Sequence, residues 1–349
     1  MKLISVVSTR PDYIKETLRH HYLKEMGIEE ILVNTGQHYD HNMSQIFFDE
    51  LKIPIPDYSL NVSTGLVGRQ TGEIITQMEE ILLKEHPDLT LVYGDVTSSL
   101  AAALASVKLR IPVVHIEGGI RTDSRFNPED INRKICDHLS DTIFVPTELS
   151  LQNLLKENFP SDRIFFYGDV TKDILLYTLN RHDIKIERKD YILITLHREE
   201  NVDNSQRLTN IIRALNESGE KIVFPVHPRT RKQLERFGLQ DKIGDNIQLL
   251  EPQGYINFIR LLAGARKVLT DSGTVRREAY IMYKPVITLI EIIWWPEIVK
   301  CGWNLIVGAD KNKIVDAIRQ FSPPAEHPEF FGDGNAERKI LNKILSLYG

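Results

Sequence analysis

The segment HIEGG, residues 115–119, ends a short apolar run in a carboxylate, Glu117, and turns on two glycines. Two more carboxylates stand in comparable settings, Asp95 in YGDVTSS and Glu129 in NPEDINR. Carboxylates gathered at strand ends suit proton transfer. Taken alone, Glu117 serves equally well as a cap for the next turn. Elsewhere, TLHREEN ends an apolar run in His197, and STRPDYIK sets Arg10 and Lys15 just past the first such run. In DSGTVRREA, Ser272 and Gly273 precede a helical pattern, where close backbone approach and open N–H groups suit a phosphate. Glu278, about one turn on, suits the hydroxyls of a ribose. A phosphate-bearing ligand whose reacting part faces the acids fits both sets of residues, and a nucleotide sugar has that shape.

Each cluster also has a local explanation in helix caps, dipole-favoured acids and solvated arginines. Those local causes do not explain why the clusters recur at one kind of place, the carboxyl end of a strand. In open α/β sheets that is where ligands bind. The chain alternates apolar runs and helical periods almost throughout, which predicts a parallel α/β fold. Expected strands are 2–7, 31–34, 89–93, 112–117, 142–145 and 164–166, then 191–196, 221–226, 247–250, 267–270, 286–290 and 305–307. Helices are expected at 65–84, 97–108, 206–217, 274–282 and 336–348. The polar stretch 179–190 reads as a linker. The expectation is therefore two Rossmann-like doubly wound domains, 1–178 with the acids and 179–332 with the phosphate turn, and a cleft between them. A last helix within 333–349 is expected to return to the first domain.

At 349 residues the chain is long enough for two cores. Its net charge of -5 argues against a nucleic-acid partner or a polybasic membrane face. Cys136 and Cys301 lie far apart and read as small apolar residues in a reducing cytoplasm. The apolar start is too short for a signal peptide and reads as a first strand. No stretch approaches the length of a membrane span. Neither G-x-G-x-x-G nor a Walker A loop occurs, and no metal-ligand spacing is seen, so no cofactor and no metal are expected.

STRPDYIK, TGQHYD, YGDVTSS, HIEGGIRT, NPEDINR, TLHREEN and DSGTVRREA occur in the order found in the non-hydrolysing UDP-N-acetylglucosamine 2-epimerase family, and the resemblance runs through almost the whole chain. It implies a glycosyltransferase-B arrangement, a homodimer and a cytoplasmic UDP-sugar isomerase. By resemblance, Asp95, Glu117, Glu129 and His197 are the catalytic positions, and Arg10 and Lys15 are the N-terminal basic pair. Ser272, Gly273 and Glu278 fall at the UDP phosphate and ribose contacts, and Phe258 at the uracil end. Gln37, His38 and Arg69 fall near an allosteric UDP-sugar site of some bacterial members.

Some positions depart from the family pattern. Gly-Thr-Arg-Pro-Glu becomes residues 8–12, STRPD, and the glycine after Asp-Ser-Gly becomes Thr274. An Arg-Asp-x-Thr-Glu segment is replaced within IEIIWWPE, residues 290–297. Losing three polar groups together at Ile290, Ile293 and Trp294 predicts altered sugar recognition, toward a less polar sugar. A related UDP-sugar, a hydrolysing outcome, a glycosyltransferase of the same fold and a non-catalytic sensor all remain alternatives at this level.

Overall fold

The structure, a computed structural model, describes residues 1–36, 54–60, 62, 65–122 and 127–349. The chain forms two units, Met1–Leu176 with Phe330–Gly349, and Tyr177–Glu329. Among the described residues, the first unit holds a parallel sheet of β1 (Lys2–Val7), β2 (Glu29–Asn34), β3 (Tyr58–Ser59), β4 (Leu89–Tyr93), β5 (Val113–Ile116), β6 (Thr142–Val145) and β7 (Ile164–Phe166). Its strand order is β3-β2-β1-β4-β5-β6-β7. The second unit holds β8 (Ile192–Thr195), β9 (Ile222–Pro225), β10 (Ile247–Leu250), β11 (Lys267–Thr270), β12 (Val286–Thr288) and β13 (Asn304–Ile306). Their order is β10-β9-β8-β11-β12-β13, again all parallel.

Both sheets are doubly wound. The order reverses between β1 and β4 in one and between β8 and β11 in the other, and such switch points are where open α/β sheets take ligands. The inner strands β1, β4, β5, β6, β8, β9, β11 and β12 are short apolar runs whose side chains are almost wholly buried, as expected for sheets covered on both faces, and the edge strands β3, β7, β10 and β13 are partly exposed. Register then levels the strand ends. Tyr93 pairs with Ile116, so the Asp95 and Glu117 turns leave the sheet side by side. Thr195 pairs with Thr270, which does the same for the turns of His197 and Asp271.

The boundaries differ from the sequence expectation in instructive ways. The stretch 179–190 is not a free linker. The helix Val170–Arg181 runs into it, and the Glu187 and Lys189 N–H groups donate to the Ala263 and Gly264 carbonyls. The return to the first unit starts at Phe330, because the Asp169 N–H donates to the Phe331 carbonyl and Lys172 Nζ to that of Gly332. Two-residue β3 is too short for any periodicity to reveal. Strand β5 stops before Glu117, which has φ 68°.

The C-terminal helix Ala336–Tyr348 is fixed on the first unit by a fully buried pair, with Arg19 Nε 2.6 Å from Glu337 Oε1 and Nη2 3.0 Å from Oε2. Its first turn is held by Asp173, which accepts the Glu337 N–H at 2.7 Å. Burial pushes the Asp173 carboxyl up to about 7 against that hydrogen bond, and the Glu337 charge adds to the rise. A carboxyl that binds its proton more tightly when folded stabilises the fold fully below about pH 4. It loses that contribution as pH rises through about 7. Asp173→Asn keeps the acceptor without the charge. Thermal melts are expected to show it more stable than the parent by about 2–4 kcal/mol at pH 8, and nearly equal at about pH 3.

Candidate active site

In the first unit the acids share one scaffold. The helix Pro128–Leu139 starts at Asn127, whose side chain accepts the Glu129 N–H at 3.0 Å, with Pro128 in the first turn. Glu129 stands half-buried in that turn. One turn on, Asn132 Nδ2 donates to the Asp95 carbonyl at 2.9 Å and Arg133 pairs with the Asp95 carboxylate. Arg133 is 4% exposed and Asp95 24%, so the acid faces outward and its cation is sealed beneath it.

Glu117 is 9% exposed and pairs with the 6%-exposed Lys15 at 2.8 Å. A non-glycine residue at positive φ is uncommon and marks a site that the surroundings over-determine. The next residue must be glycine: a Cβ at Gly118 would stand 2.3 Å from Ile143 and 2.5 Å from Asp137. At Gly94, a Cβ would stand 3.5 Å from Glu117 Oε2, so the Glu117 carboxylate lies over the turn that carries Asp95. Asp95 and Glu117 thus stand on adjacent turns, and Glu129 lies in the first turn of the helix whose Asn132 and Arg133 hold Asp95. Lys15 lies on the helix Arg10–Glu25, whose start is held by a Thr9–Asp12 capping box. Arg10 opens that helix, and only its backbone is described.

In the second unit, Asp271 is fully buried and organises the turn after β8. It accepts the N–H groups of His197 at 3.2 Å and Arg198 at 3.1 Å, and Asn201 Nδ2 at 3.3 Å. His197 Nδ1 lies 3.3 Å from the same carboxylate, and its ring is 39% exposed beside that of His227, 5.9 Å between centroids. The helix Gly273–Ile281 is capped by Ser272, whose hydroxyl accepts the Val275 N–H. Glu278 accepts the Tyr255 hydroxyl at 3.1 Å, and half-buried Phe258 lies on the same helix as Tyr255 (Tyr255–Gly264).

The segment IEIIWWPE folds onto this turn. The Trp294 ring lies against Gly273, and Trp295 Nε1 donates to the Gly273 carbonyl at 3.1 Å. The guanidinium carbons of Arg198 and Arg276 each lie 4.8 Å from the Trp294 ring centroid, and that of Arg277 lies 4.8 Å from the Trp295 ring. Cation–π contacts of this kind hold charge against aromatic faces. Burial pulls the Arg276 guanidinium below its ordinary value, with Asp271 acting the other way. Its Nε and Nη2 find no acceptor among the described residues. The segment that reads as apolar in sequence therefore brings positive charge with it.

Arg69 is 72% exposed and pairs with Glu73 at 2.9 Å. Gln37 and His38 lie outside the described residues. Sequence reasoning passed over Asn132 and Arg133, although their spacing from Glu129 sets them on one helix face. It also missed the pairing of Arg198, Arg276 and Arg277 with the two tryptophans, for which spacing gives no signal.

An α/β chain of two doubly wound units, with acids at the strand ends of one and a Ser272-capped helix start at the switch point of the other, is the class that the geometry defines. The family model for UDP-N-acetylglucosamine 2-epimerase matches residues 21–345, and the chain belongs to that family. It is 46% identical to a UDP-N-acetylglucosamine 2-epimerase homolog of Methanococcus maripaludis, over 99% of this chain and 100% of that one. It is 40% identical to the UDP-2,3-diacetamido-2,3-dideoxy-D-glucuronate 2-epimerase of Pseudomonas aeruginosa, over the same shares. A crystal structure of Methanocaldococcus jannaschii UDP-GlcNAc 2-epimerase in complex with UDP-GlcNAc and UDP superposes with TM-score 0.91, at 39% identity and 100% coverage of both chains.

Proposed function

We propose that this protein is a UDP-N-acetylglucosamine 2-epimerase, a cytoplasmic homodimer that interconverts UDP-N-acetylglucosamine and UDP-N-acetylmannosamine. The observation that carries the reading is the gathering of three acids on adjoining elements: Asp95 and Glu117 on adjacent turns, and Glu129 at the start of the helix Pro128–Leu139 that holds Asp95. Inverting C2 needs proton-handling groups for both faces of the sugar, and one carboxylate cannot serve both.

No carbonyl acidifies the C2 proton, so direct removal is slow. Breaking the C1–O bond sends its electron pair to UDP and gives C1 oxocarbenium character. A carboxylate then takes the C2 proton, and C1 and C2 share a double bond in 2-acetamidoglucal. Return of a proton to the opposite face of C2 and of the phosphate oxygen to C1 gives the epimer. Ser272, Gly273 and Glu278 hold the nucleotide, with Phe258 toward the base. Arg10 and His197 stabilise charge on the leaving diphosphate, and Lys15 pairs with Glu117.

Incubation with UDP-N-acetylglucosamine in heavy water, followed by NMR, tests this. Deuterium is expected at C2 of both epimers with UDP still attached. Release of free sugar and UDP points to hydrolysis, transfer to an acceptor with C2 protiated to a glycosyltransferase, and binding without exchange to a sensor. A second reading, an acidic UDP-2,3-diacetamido sugar, draws on Arg198 and Arg276 beside Trp294 and on the Pseudomonas aeruginosa relative. A higher kcat/KM for that nucleotide in the same assay would favour it.

A further inference from the structure

His115 and Asp137 are each fully buried, and neither belongs to the residues assigned to substrate. His115 Nε2 lies 2.8 Å from the Gly94 carbonyl, and Nδ1 lies 2.8 Å from Asp137 Oδ1. A carbonyl oxygen only accepts, so Nε2 carries a proton. Asp137 Oδ2 meanwhile accepts the Gly119 N–H at 3.2 Å and Arg121 Nη1 at 2.8 Å. Burial works against a charged Asp137, but the hydrogen bonds from His115 and Arg121 outweigh it and hold the carboxyl below its ordinary value.

The placement of the pair gives it a task. Gly94 precedes Asp95, His115 lies two residues before Glu117, and Gly119 lies two after it. Asp137 sits on the helix that starts at Glu129, and its helix neighbours Asn132 and Arg133 hold Asp95. We infer that the buried, hydrogen-bonded His115–Asp137 pair is a positioning device that locks the Asp95 and Glu117 turns to the helix of Glu129, setting the acids for transfer of the C2 proton. The pair touches no substrate atom. It acts through the turns, and positional errors near 1 Å can lower turnover on the order of 10²-fold.

The test rests on the epimerase reading and is built so that the two fail separately. His115→Phe keeps a ring but deletes both ring nitrogens, and His115→Gln restores a donor toward the Gly94 carbonyl. Asp137→Asn keeps one acceptor oxygen for Arg121 and Gly119 and sets an amide in place of the carboxylate beside His115 Nδ1. With UDP-N-acetylglucosamine in heavy water, His115→Phe is expected to lose about 10²-fold in kcat and in C2 deuterium uptake, with KM changed less than about threefold. His115→Gln is expected to recover to within about tenfold of the parent. Asp137→Asn is expected to lose about tenfold per folded molecule and to melt below the parent, because Arg121 loses a buried carboxylate, and it carries the test if His115→Phe does not fold. Parent-like kcat in Asp137→Asn, a rise in KM alone, or loss of folded protein at constant activity per folded molecule would each overturn the inference. A parent protein without C2 exchange overturns the reaction itself, and the inference with it.

Discussion

Replacement of Glu117 by Gln is expected to lower turnover on the order of 10²-fold or more, the usual contribution of a positioned acid or base. Gln keeps the size of the side chain and one acceptor oxygen, so the loss reports the missing carboxylate. The change also strands a buried cation, since Lys15 is 6% exposed and lies 2.8 Å from Glu117. Removing one partner of a buried pair destabilises. The variant should therefore melt below the parent, although the sequence alone suggests no change in stability. Adding Lys15→Met removes the stranded charge and should restore much of the melting temperature while turnover stays low. Rates measured well below the melting transition separate the effects. Parent-like turnover in folded Glu117→Gln would show that the glutamate only shapes its turn.

The second large effect is on stability. Glu337→Gln breaks a two-bond ion pair in which Arg19 is 0% and Glu337 1% exposed. The expected loss is about 3–5 kcal/mol, read as a fall in the urea midpoint. Glu16 sets the lower end of that range. Burial and the neighbouring Glu30 hold its carboxyl well above the usual range. It accepts the Tyr93 hydroxyl at 3.1 Å and lies within electrostatic reach of Arg19, so by ionising it can take over part of the lost charge. Arg19→Met with Glu337→Leu replaces the pair by apolar volume and should recover most of the loss. A loss below about 1 kcal/mol in Glu337→Gln would mean that water reaches the pair.

Much of the architecture follows from short-range pattern. Apolar runs of strand length, each followed by a helical period, give two doubly wound sheets, because buried parallel strands must be apolar on both faces. Helix starts follow from local chemistry, as at Asn127-Pro128 and at Ser272. The composition of the acidic turns and of the Ser272–Gly273 turn is equally local, which is why Asp95, Glu117, Glu129 and Ser272 stand out in the sequence.

Partnership is not local, and only the tertiary structure decides it. Arg133 meets Asp95 across 38 residues, Asp137 meets His115 across 22, and Glu337 meets Arg19 across 318. Each pairing depends on strand order and register, which set two turns level at a sheet edge, and on burial, which makes an unpartnered charge too unfavourable to leave alone. The same holds for IEIIWWPE. In sequence it is a loss of polar groups; folded, its tryptophans lie against the guanidinium groups of Arg198, Arg276 and Arg277 beside the turn at Gly273. Residue type fixed what chemistry was on offer, and the crossings of the sheet fixed which groups share it.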